Sequence, residues 1–447
     1  MSITSVRNLN RLIQVSLFIA LLITSCIPNF KSQNPSIVDI DFEVITPVST
    51  NLNNELFIEI LDEVTGLGIN PIRHRMNAID ESNFSITLPF MVNAVIKYRF
   101  IRGGNPPFVE YDSQGEQIRY RLFHVKSAGK IKDQIAGWQD YPFLNPTGTL
   151  QGFVYDESTS QPISNVMVII AGMRTFTGED GSYSISGIPI GEHLLTAYHV
   201  DCLYENFQQG AVIAENAITP ANFGMKSSPL VDITFATTPP TEHIAGAPVY
   251  LIGNLFSVGN TFMDLKGGLS TSTDRSPVLN YQSDGTYKIT LSLPTSCYFE
   301  YKYSLGDGFW NAEHGVDGKW NLRKIIIPSH TTTIYDKIAS WKDNDSNPIS
   351  ISVTTPLETP INGIVYLQIN PFVWMEPIRT WKIGNNQWLY TIYSPLNLVN
   401  NSTFRFLLND GLSIRYDVAA QGENTTGILF SNFETSVDYS ISEWVPK

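Results

Sequence analysis

One segment of the chain, residues 302–321, combines aromatic rings with side chains that donate and accept hydrogen bonds. A sugar ring has apolar C–H faces and polar edges, so a carbohydrate-binding site needs exposed aromatic rings with a few hydrogen-bonding groups beside them. The candidate ligand-binding residues of the segment are Trp310, Trp320, Lys302, Asn311, Glu313 and Asn321. Gly- and Asp-rich turn sequences at 306–308 and 315–318 flank both Trp and indicate loops. We therefore predict that at least one Trp is exposed and faces a ligand; the alternative is that both belong to the core.

Cys26 is a second candidate for chemistry, because it follows a short basic and apolar leader. Arg7 and Arg11 precede an apolar run, 12–23, that is shorter than the about 20 residues of a membrane-spanning helix. The run ends in Ile-Thr-Ser-Cys at 23–26, which resembles the lipobox of bacterial lipoproteins. That resemblance implies a signal peptide, 1–25, cleavage before Cys26 and a lipid on its thiol. An ordinary secretory signal with a chance Cys is the alternative.

The leader also predicts an address. An acylated Cys26 would tether the chain to a membrane, and two or three acyl chains anchor stably where one does not. Residue 27 is Ile rather than Asp, which in double-membrane bacteria resembles an outer-membrane destination. We expect an exported protein, anchored to the bacterial cell envelope through its lipid and facing outside.

Catalytic and metal-binding motifs are absent from the sequence. The chain has seven His and contains no GxSxG elbow, no Gly-rich phosphate loop and no HxxE or HExxH zinc pattern. A (β/α)₈ glycosidase barrel needs about 250 residues with helices, and no segment resembles one. The acidic run 343–347 reads as a polar linker rather than a calcium site. We predict a non-enzyme without cofactor or metal.

Composition favours several β-sandwich domains. The 447 residues suggest about three or four domains, and 43% hydrophobic residues are enough to form their cores. Charged residues make up 16% and aromatic residues 12%, with 31 Gly and 26 Pro, which is typical of β-sheet proteins. The net charge of −13 argues against nucleic acid or anionic lipid as a partner recognised by charge.

Three segments of the chain repeat the same pattern. Each opens on a strand that alternates apolar and polar residues, continues with a hairpin-like pair and closes on a Trp. The spacing from the second hairpin strand to that Trp is 40 residues from Tyr98, 40 from Tyr301 and 38 from Phe406. The closing residues are Trp138, Trp341 and Trp444, and their recurrence at one place indicates packing.

A different module lies between the first two copies. Alternating strands within 148–156, 162–170 and 193–198 are joined by turn sequences such as Glu179-Asp-Gly181, where Gly tolerates positive φ. This pattern over 148–226 resembles the carboxypeptidase regulatory-like domain, a seven-stranded prealbumin-type sandwich. The resemblance implies a spacer or interaction module and no peptidase activity.

The repeated segments resemble starch-binding carbohydrate-binding modules of family 20, above all in the second copy. The matching stretches are 249–254, 284–294, 299–303 and Trp310. In that family a Trp, a strand Lys and a loop Trp form the sugar platform, which implies roles for Lys302 and Trp310. The first platform position departs from the family, with Phe262 nearby in place of a Trp. The other copies depart further and are expected to be degenerate.

We therefore expect an all-β protein made of a string of four immunoglobulin-like or prealbumin-like sandwiches. After the signal peptide and a linker, 26–36, they are copy one, 37–143; the prealbumin-like module, 148–226; copy two, 229–343; and copy three, 348–447. Cys202 and Cys297 fall in different domains, so we expect no disulfide and interpret each as a small buried hydrophobe.

Three functions follow from this organisation. The first is a non-catalytic lipoprotein that binds α-glucan, such as starch or glycogen, through aromatic platforms and that works with a separate glycoside hydrolase. The second is a scaffold or adhesin of immunoglobulin-like domains that contacts other proteins. The third is an accessory subunit of a polysaccharide hydrolase. Exposure of the aromatic residues in 302–321 distinguishes the first from the second, and a cleft with two close carboxylates would favour the third.

Overall fold

A computed structural model describes residues 36–47, 55–61, 72–103, 107–244, 246–259, 276–306, 310–370, 374–395, 402–420, 427–429 and 436–446. Cys26, with the signal peptide, and Phe262 lie outside the described residues. The described residues form strands, turns and two single 3₁₀ turns, Phe256–Val258 and Val418–Ala420. In this part of the chain, no helix has the length and apolar character needed to cross a bilayer. The all-β prediction is confirmed.

Copy one forms two sheets that enclose a core of alternating apolar side chains. One sheet has the order β4-β5-β1-β9, and the other has the order β10-β7-β6-β2-β3 with β8 paired to β6. The strands are β1 (Ile37–Ile45), β2 (Leu56–Ile60), β3 (Ile72–Arg75), β4 (Asn77–Ala78), β5 (Asn83–Met91), β6 (Val95–Arg102), β7 (Phe108–Tyr111), β8 (Arg121–His124), β9 (Gly129–Gln134) and β10 (Gly137–Trp138).

The prealbumin-like module also has two sheets. β11 lies between β14 and β17 and also pairs with β18, while the second sheet runs β13-β12-β15-β16. The strands are β11 (Thr147–Asp156), β12 (Val166–Ile170), β13 (Met173–Phe176), β14 (Ser182–Pro189), β15 (Gly191–His199), β16 (Phe207–Ile213), β17 (Ile218–Pro220) and β18 (Phe223–Met225).

The resemblance to the carboxypeptidase regulatory-like domain implies seven strands, and the module has eight strand segments. The numbers agree because the seventh strand is interrupted and forms two segments, β17 and β18. β17 and β18 both run parallel to β11, one after the other. Between them the Asn222 side-chain oxygen accepts the backbone N–H of Phe153 at 3.0 Å, in place of a ladder bond. A Cβ atom at Gly152 would lie 2.0 Å from the Ala221 carbonyl oxygen, so glycine is required where the chains approach.

Copies two and three repeat the two-sheet plan. Copy two has sheets β21-β22-β19-β25 and β20-β23-β24, and copy three has sheets β29-β30-β26-β34 and β28-β27-β31-β32-β35 with β33 paired to β31. The strands are β19 (Leu230–Thr238), β20 (Tyr250–Gly253), β21 (Asn280–Tyr281), β22 (Tyr287–Pro294), β23 (Tyr298–Ser304), β24 (Arg323–Ile326), β25 (Thr332–Lys337), β26 (Ile349–Thr354), β27 (Ile364–Asn370), β28 (Ile378–Arg379), β29 (Trp381–Lys382), β30 (Gln387–Ile392), β31 (Ser402–Asn409), β32 (Ile414–Asp417), β33 (Gly427–Leu429), β34 (Ser436–Ser440) and β35 (Trp444–Pro446).

The three copies share one topology. The first strand of each copy, β1, β19 or β26, lies between a middle strand and a late strand of the same sheet. It pairs in parallel with the late strand, which is β9, β25 or β34. The closing residues Trp138, Trp341 and Trp444 are all buried, which confirms their predicted packing role.

A buried carboxylate recurs beside the central strand of each copy. Glu110 accepts the backbone N–H of Phe100, Glu313 that of Tyr303 and Asp417 that of Phe406, at 2.9, 3.0 and 3.1 Å. All three acids are buried. Each carboxylate therefore serves a structural hydrogen bond that belongs to the fold of the repeat.

The four sandwiches are not separate bodies joined by linkers. The described residues from Val38 onward belong to one structural unit. A single hydrophobic cluster includes Tyr120 of copy one, Tyr198 of the prealbumin-like module, Phe299 of copy two and Phe406 of copy three. Sequence alternation predicts the inside of each sandwich, whereas this continuity depends on residues at the ends of the sandwiches.

Candidate functional site

Trp310 does not form an exposed platform. Only 2% of its surface is accessible, and its backbone carbonyl accepts the Ser394 N–H of copy three at 3.0 Å. The turn-rich loop around Trp310 packs against copy three. It would be exposed in copy two alone, but in the whole chain the neighbouring sandwich covers it. The prediction that Trp310 is a ligand-facing residue is wrong.

Asn311 connects copy two to copy three beside Trp310. Its amide nitrogen donates to the Tyr390 hydroxyl at 2.9 Å and to the Thr391 carbonyl at 2.8 Å. Its amide oxygen accepts the Tyr393 backbone N–H at 2.8 Å. Because Asn311 is fully buried, its amide group is committed to the joint between the sandwiches and is not available to a ligand.

Lys302 is also buried, with 3% of its surface accessible, which contradicts its predicted role as a donor to a glycan. Its ammonium lies 5.6 Å from the centre of the Trp320 ring, a cation–π contact that replaces solvent. Trp320 is half-buried and packs against His314, with ring centres 4.5 Å apart and ring planes tilted by 32°. A ligand role for Trp320 stays a prediction.

Glu313 belongs to a buried ion-pair network rather than to a ligand site. It pairs with Arg323 at 2.8 Å, and Arg323 pairs with Asp336 at 2.9 Å. Burial raises the pKa of the Glu313 carboxyl, and the hydrogen bonds and charge of Arg323 oppose that effect. Copy one repeats this network with Glu110, Arg121 and Asp133. The predicted ligand role of Glu313 is wrong, because its carboxylate is occupied within the fold.

Asn321 is held by the same network. Its side-chain nitrogen donates to the Glu313 carboxylate at 3.0 Å, and its backbone N–H donates to the Glu313 carbonyl at 3.1 Å. The residue is half-buried. Asn321 therefore supports the position of Glu313, and its predicted contact with a glycan is not tested by these bonds.

Elsewhere on copy two, a surface groove combines aromatic rings with hydrogen-bonding groups, which is the combination predicted for 302–321. Its volume is about 440 Å³, and its lining is mostly apolar with aromatic rings. Tyr281 is 66% exposed at its rim. Residues that line the groove include Pro239, Pro240, His243, Pro248, Tyr281 and Tyr287. An exposed tyrosine ring, such as that of Tyr281, suits the apolar face of a sugar ring.

The aromatic groups of the groove hold one another in place. The Tyr281 and Tyr287 ring centres lie 5.1 Å apart, because the two residues are register partners across the β21–β22 hairpin. The Tyr287 hydroxyl donates to the Ala247 carbonyl at 3.2 Å and lies 2.8 Å from His243 Nε2. Burial lowers the pKa of His243 to about 4, so the ring is neutral at pH 7.

Sequence reasoning missed this groove although part of it was readable. Tyr281 and Tyr287 flank the turn sequence Ser283-Asp-Gly285, so a hairpin would place them opposite each other. His243 and the three prolines come from a connection about 40 residues earlier. Their approach to the hairpin depends on the fold of the whole sandwich.

No metal-binding cluster is seen in the described part of the chain. Those residues contain no group of three or more His, Cys, Asp or Glu side chains able to hold a metal ion. Asp343 accepts the backbone N–H groups of Asp345 and Ser346, at 2.9 and 2.6 Å, as the first residue of a polar turn. This carboxylate is used by the local chain.

Comparisons with known proteins identify no family. No protein-family model and no curated protein matches the chain. A streptococcal ancillary pilin is 10% identical over 67% of this chain and 99% of its own, with a TM-score of 0.25. The Bacillus anthracis TIE protein is 9% identical over 93% of this chain and 76% of its own, with a TM-score of 0.18. A family 15 glucoamylase from Hypocrea jecorina is 18% identical over 27% of this chain and 20% of its own, with a TM-score of 0.20. These likenesses carry no argument about function.

Proposed function

We propose that this protein is an exported, non-catalytic scaffold of the cell surface, in which four sandwiches joined into one unit contact other proteins and a lipid on Cys26 anchors the chain. The observation that carries the proposal is the joint at Asn311. A fully buried amide that makes three bonds to the neighbouring sandwich opposes rotation of copy two against copy three, because rotation would leave those groups unpaired. A flexible string would not need such a joint.

The other two joints support the same proposal. Between copy one and the prealbumin-like module, Gln114 Nε2 donates to the Ser186 carbonyl at 3.0 Å and Thr196 Oγ1 donates to the Leu122 carbonyl at 3.1 Å. Between that module and copy two, the Ser257 N–H donates to the Asp201 carboxylate at 2.8 Å. Defined contacts at each joint favour a rigid spacer over independently moving modules.

Calorimetry of the mature chain tests the scaffold proposal. Sandwiches that share a core are expected to melt together, so the chain should give one dominant heat-capacity peak whose calorimetric and van't Hoff enthalpies agree. Several resolved transitions, unchanged when Asn311 is replaced by Ala, would overturn the idea that the joints are rigid. Asn280→Ala, an exposed position of copy two, is the matched control.

The anchor has its own test. If Cys26 carries a lipid, the native protein should partition into detergent, and Cys26→Ser should move it to the aqueous phase. Surface labelling of intact cells then measures whether the chain faces outside. Aqueous partition of the unmutated protein, made in cells that process other lipoproteins, would contradict the anchor while leaving the joints untouched.

A second candidate function is binding of α-glucan by copy two, with a separate glycoside hydrolase as partner. The groove around Tyr281 supports this function, because it offers an exposed aromatic face beside a neutral His and a Tyr hydroxyl. In this proposal the platform is the exposed ring of Tyr281, which the buried Tyr287 supports from below, and the buried Trp310 takes no part.

Affinity electrophoresis in amylopectin, pullulan and cellulose gels tests the second candidate. Removal of a hot-spot aromatic residue typically costs about 2 kcal/mol, so Tyr281→Ala should weaken retardation about thirtyfold. Tyr335→Ala is the control, because Tyr335 is 80% exposed in the same copy but does not line the groove. Equal loss in both variants, or no retardation of the unmutated chain in any gel, would reject glucan binding.

A further inference from the structure

Cys202 and Cys297 meet at the joint between the prealbumin-like module and copy two. The two residues are 95 positions apart, yet both belong to one hydrophobic cluster and both are buried. Their thiols are free and in hydrogen-bonding contact with each other. The sequence-based expectation of burial is confirmed, whereas the reason for expecting no disulfide, their separation in different domains, is removed by this contact.

The backbone holds both cysteines firmly. The Cys202 N–H donates to the His199 carbonyl at 2.8 Å, and the Cys297 carbonyl accepts the Ile327 N–H at 2.9 Å. Cys202 has a φ of +57°, a left-handed conformation that Gly or Asn adopts at lower cost. Because Gly or Asn would fit this backbone at lower cost, a Cys here, facing a second Cys, indicates a role for the thiol itself rather than simple filling of the core.

Contacts around the pair keep the two sandwiches aligned. The Ser257 N–H donates to the Asp201 carboxylate at 2.8 Å, next to Cys202 in the chain. The Phe256 N–H donates to the Val200 carbonyl at 3.3 Å. Two bonds within two residues of Cys202 restrict movement at this joint, and so they hold the thiols near each other.

We propose that Cys202 and Cys297 form a disulfide that cross-links the prealbumin-like module to copy two. The proposal rests on the export assumed under the proposed function, because disulfides persist in oxidising compartments. The oxidant is a disulfide donor, either a thiol–disulfide oxidoreductase or a small-molecule disulfide. One cysteine thiolate attacks the donor and releases a first thiol. The other cysteine then attacks the mixed disulfide and releases a second, so two thiols and one disulfide become one disulfide and two thiols.

Oxidation takes place before the joint closes. Burial raises the pKa of the Cys297 thiol well above its usual value, so little thiolate exists in the folded joint. A bulky donor also cannot reach a pair that is covered by the surrounding core. The bond thus forms during folding or on transient opening, and afterwards it is a permanent link rather than a switch.

The test uses the mature chain with Cys26→Ser, which removes the third Cys, refolded with oxidised and reduced glutathione. Alkylation of the unfolded product without reductant should modify neither cysteine, and intact mass should be lower by two hydrogens than that of the reduced chain. Reduction should lower the melting temperature by several degrees, since the link closes a loop of about 95 residues. The same treatment should not shift the melting temperature of Cys202→Ser or Cys297→Ser.

Two results distinguish failure of the disulfide from failure of the proposed export. Full alkylation of both cysteines after oxidative refolding would overturn the disulfide. If the refolded protein is oxidised but protein extracted from its own cells under alkylating conditions has both thiols free, the pairing is retained and export is rejected.

Discussion

The side-chain oxygen of Asn311 in copy two accepts the backbone N–H of Tyr393 in copy three at 2.8 Å. The amide nitrogen of the same residue donates to Tyr390 and Thr391 of copy three. One buried amide thus satisfies three groups of the next sandwich. This joint occupies the loop in which a sugar platform was expected, so the loop connects domains instead of presenting aromatic rings to solvent.

Asn311→Ala is expected to lower the free energy of unfolding by about 3 kcal/mol, because it leaves a buried N–H and a buried carbonyl without their partner. Urea denaturation followed by tryptophan fluorescence measures the loss. Asn280→Ala, at an exposed position, should change stability by less than about 0.5 kcal/mol. Equal effects of the two substitutions would show that the joint contributes little.

Trp310→Ala is expected to destabilise the protein by about 3 to 5 kcal/mol, because it leaves a large cavity in the core next to copy three. Glucan retardation, if the unmutated chain shows any, should be unchanged under conditions where the variant remains folded. A variant that keeps its stability and loses retardation would contradict the burial of Trp310 and restore it as a platform residue.

Arg323→Met is expected to cost about 3 to 5 kcal/mol, because it removes the partner of the buried Glu313 carboxylate. Burial already raises the pKa of Glu313 in the folded state, and loss of Arg323 raises it further. Because the pKa of Glu313 is higher in the folded chain than in the unfolded chain, protonation of this carboxyl stabilises the folded state at pH values below the unfolded pKa. That stabilisation is lost as the pH rises and the carboxyl ionises. Denaturation at pH 5 and pH 8 should therefore show the larger destabilisation at pH 8.

The control for this substitution is Arg379→Met, at an exposed position of copy three. Its effect should be small and should not depend on pH in this range. A loss in Arg323→Met that is the same at pH 5 and pH 8 would show that Glu313 is not left as an uncompensated charge.

Acid should destabilise the protein through its buried and half-buried imidazoles. Burial lowers the pKa of His124 and His243 to about 4, and it also lowers the pKa of His314. In the unfolded chain these groups titrate near 6.5, so the unfolded state binds more protons between about pH 6.5 and 4. Stability should be full above pH 6.5 and fall as pH drops through this window.

A substitution identifies the groups responsible. His124→Leu should flatten the dependence of melting temperature on pH between 6.5 and 4, while replacement of the exposed His330 by Leu should leave it unchanged. If both variants follow the same curve as the unmutated protein, then acid destabilisation in this window has another origin.

The sequence by itself determined the secondary-structure class and the repeat. Alternation of apolar and polar residues sets which side chains face inward, because successive residues of a strand point to opposite faces. The openings Val38–Phe42, Val231–Phe235 and Ile349–Val353 therefore mark equivalent strands, and the recurring Trp138, Trp341 and Trp444 mark equivalent core positions. These features are local or periodic, so they can be read without the fold.

Tertiary structure alone decided what the loops do. A loop has no periodicity that separates a buried face from an exposed one, so turn signals around Trp310 cannot show whether another sandwich covers it. The meeting of Cys202 with Cys297, and of His243 with Tyr281, likewise joins residues that are distant along the chain. Such proximity depends on how whole sandwiches pack at their ends, where contacts between residues far apart in sequence determine which side chains remain exposed.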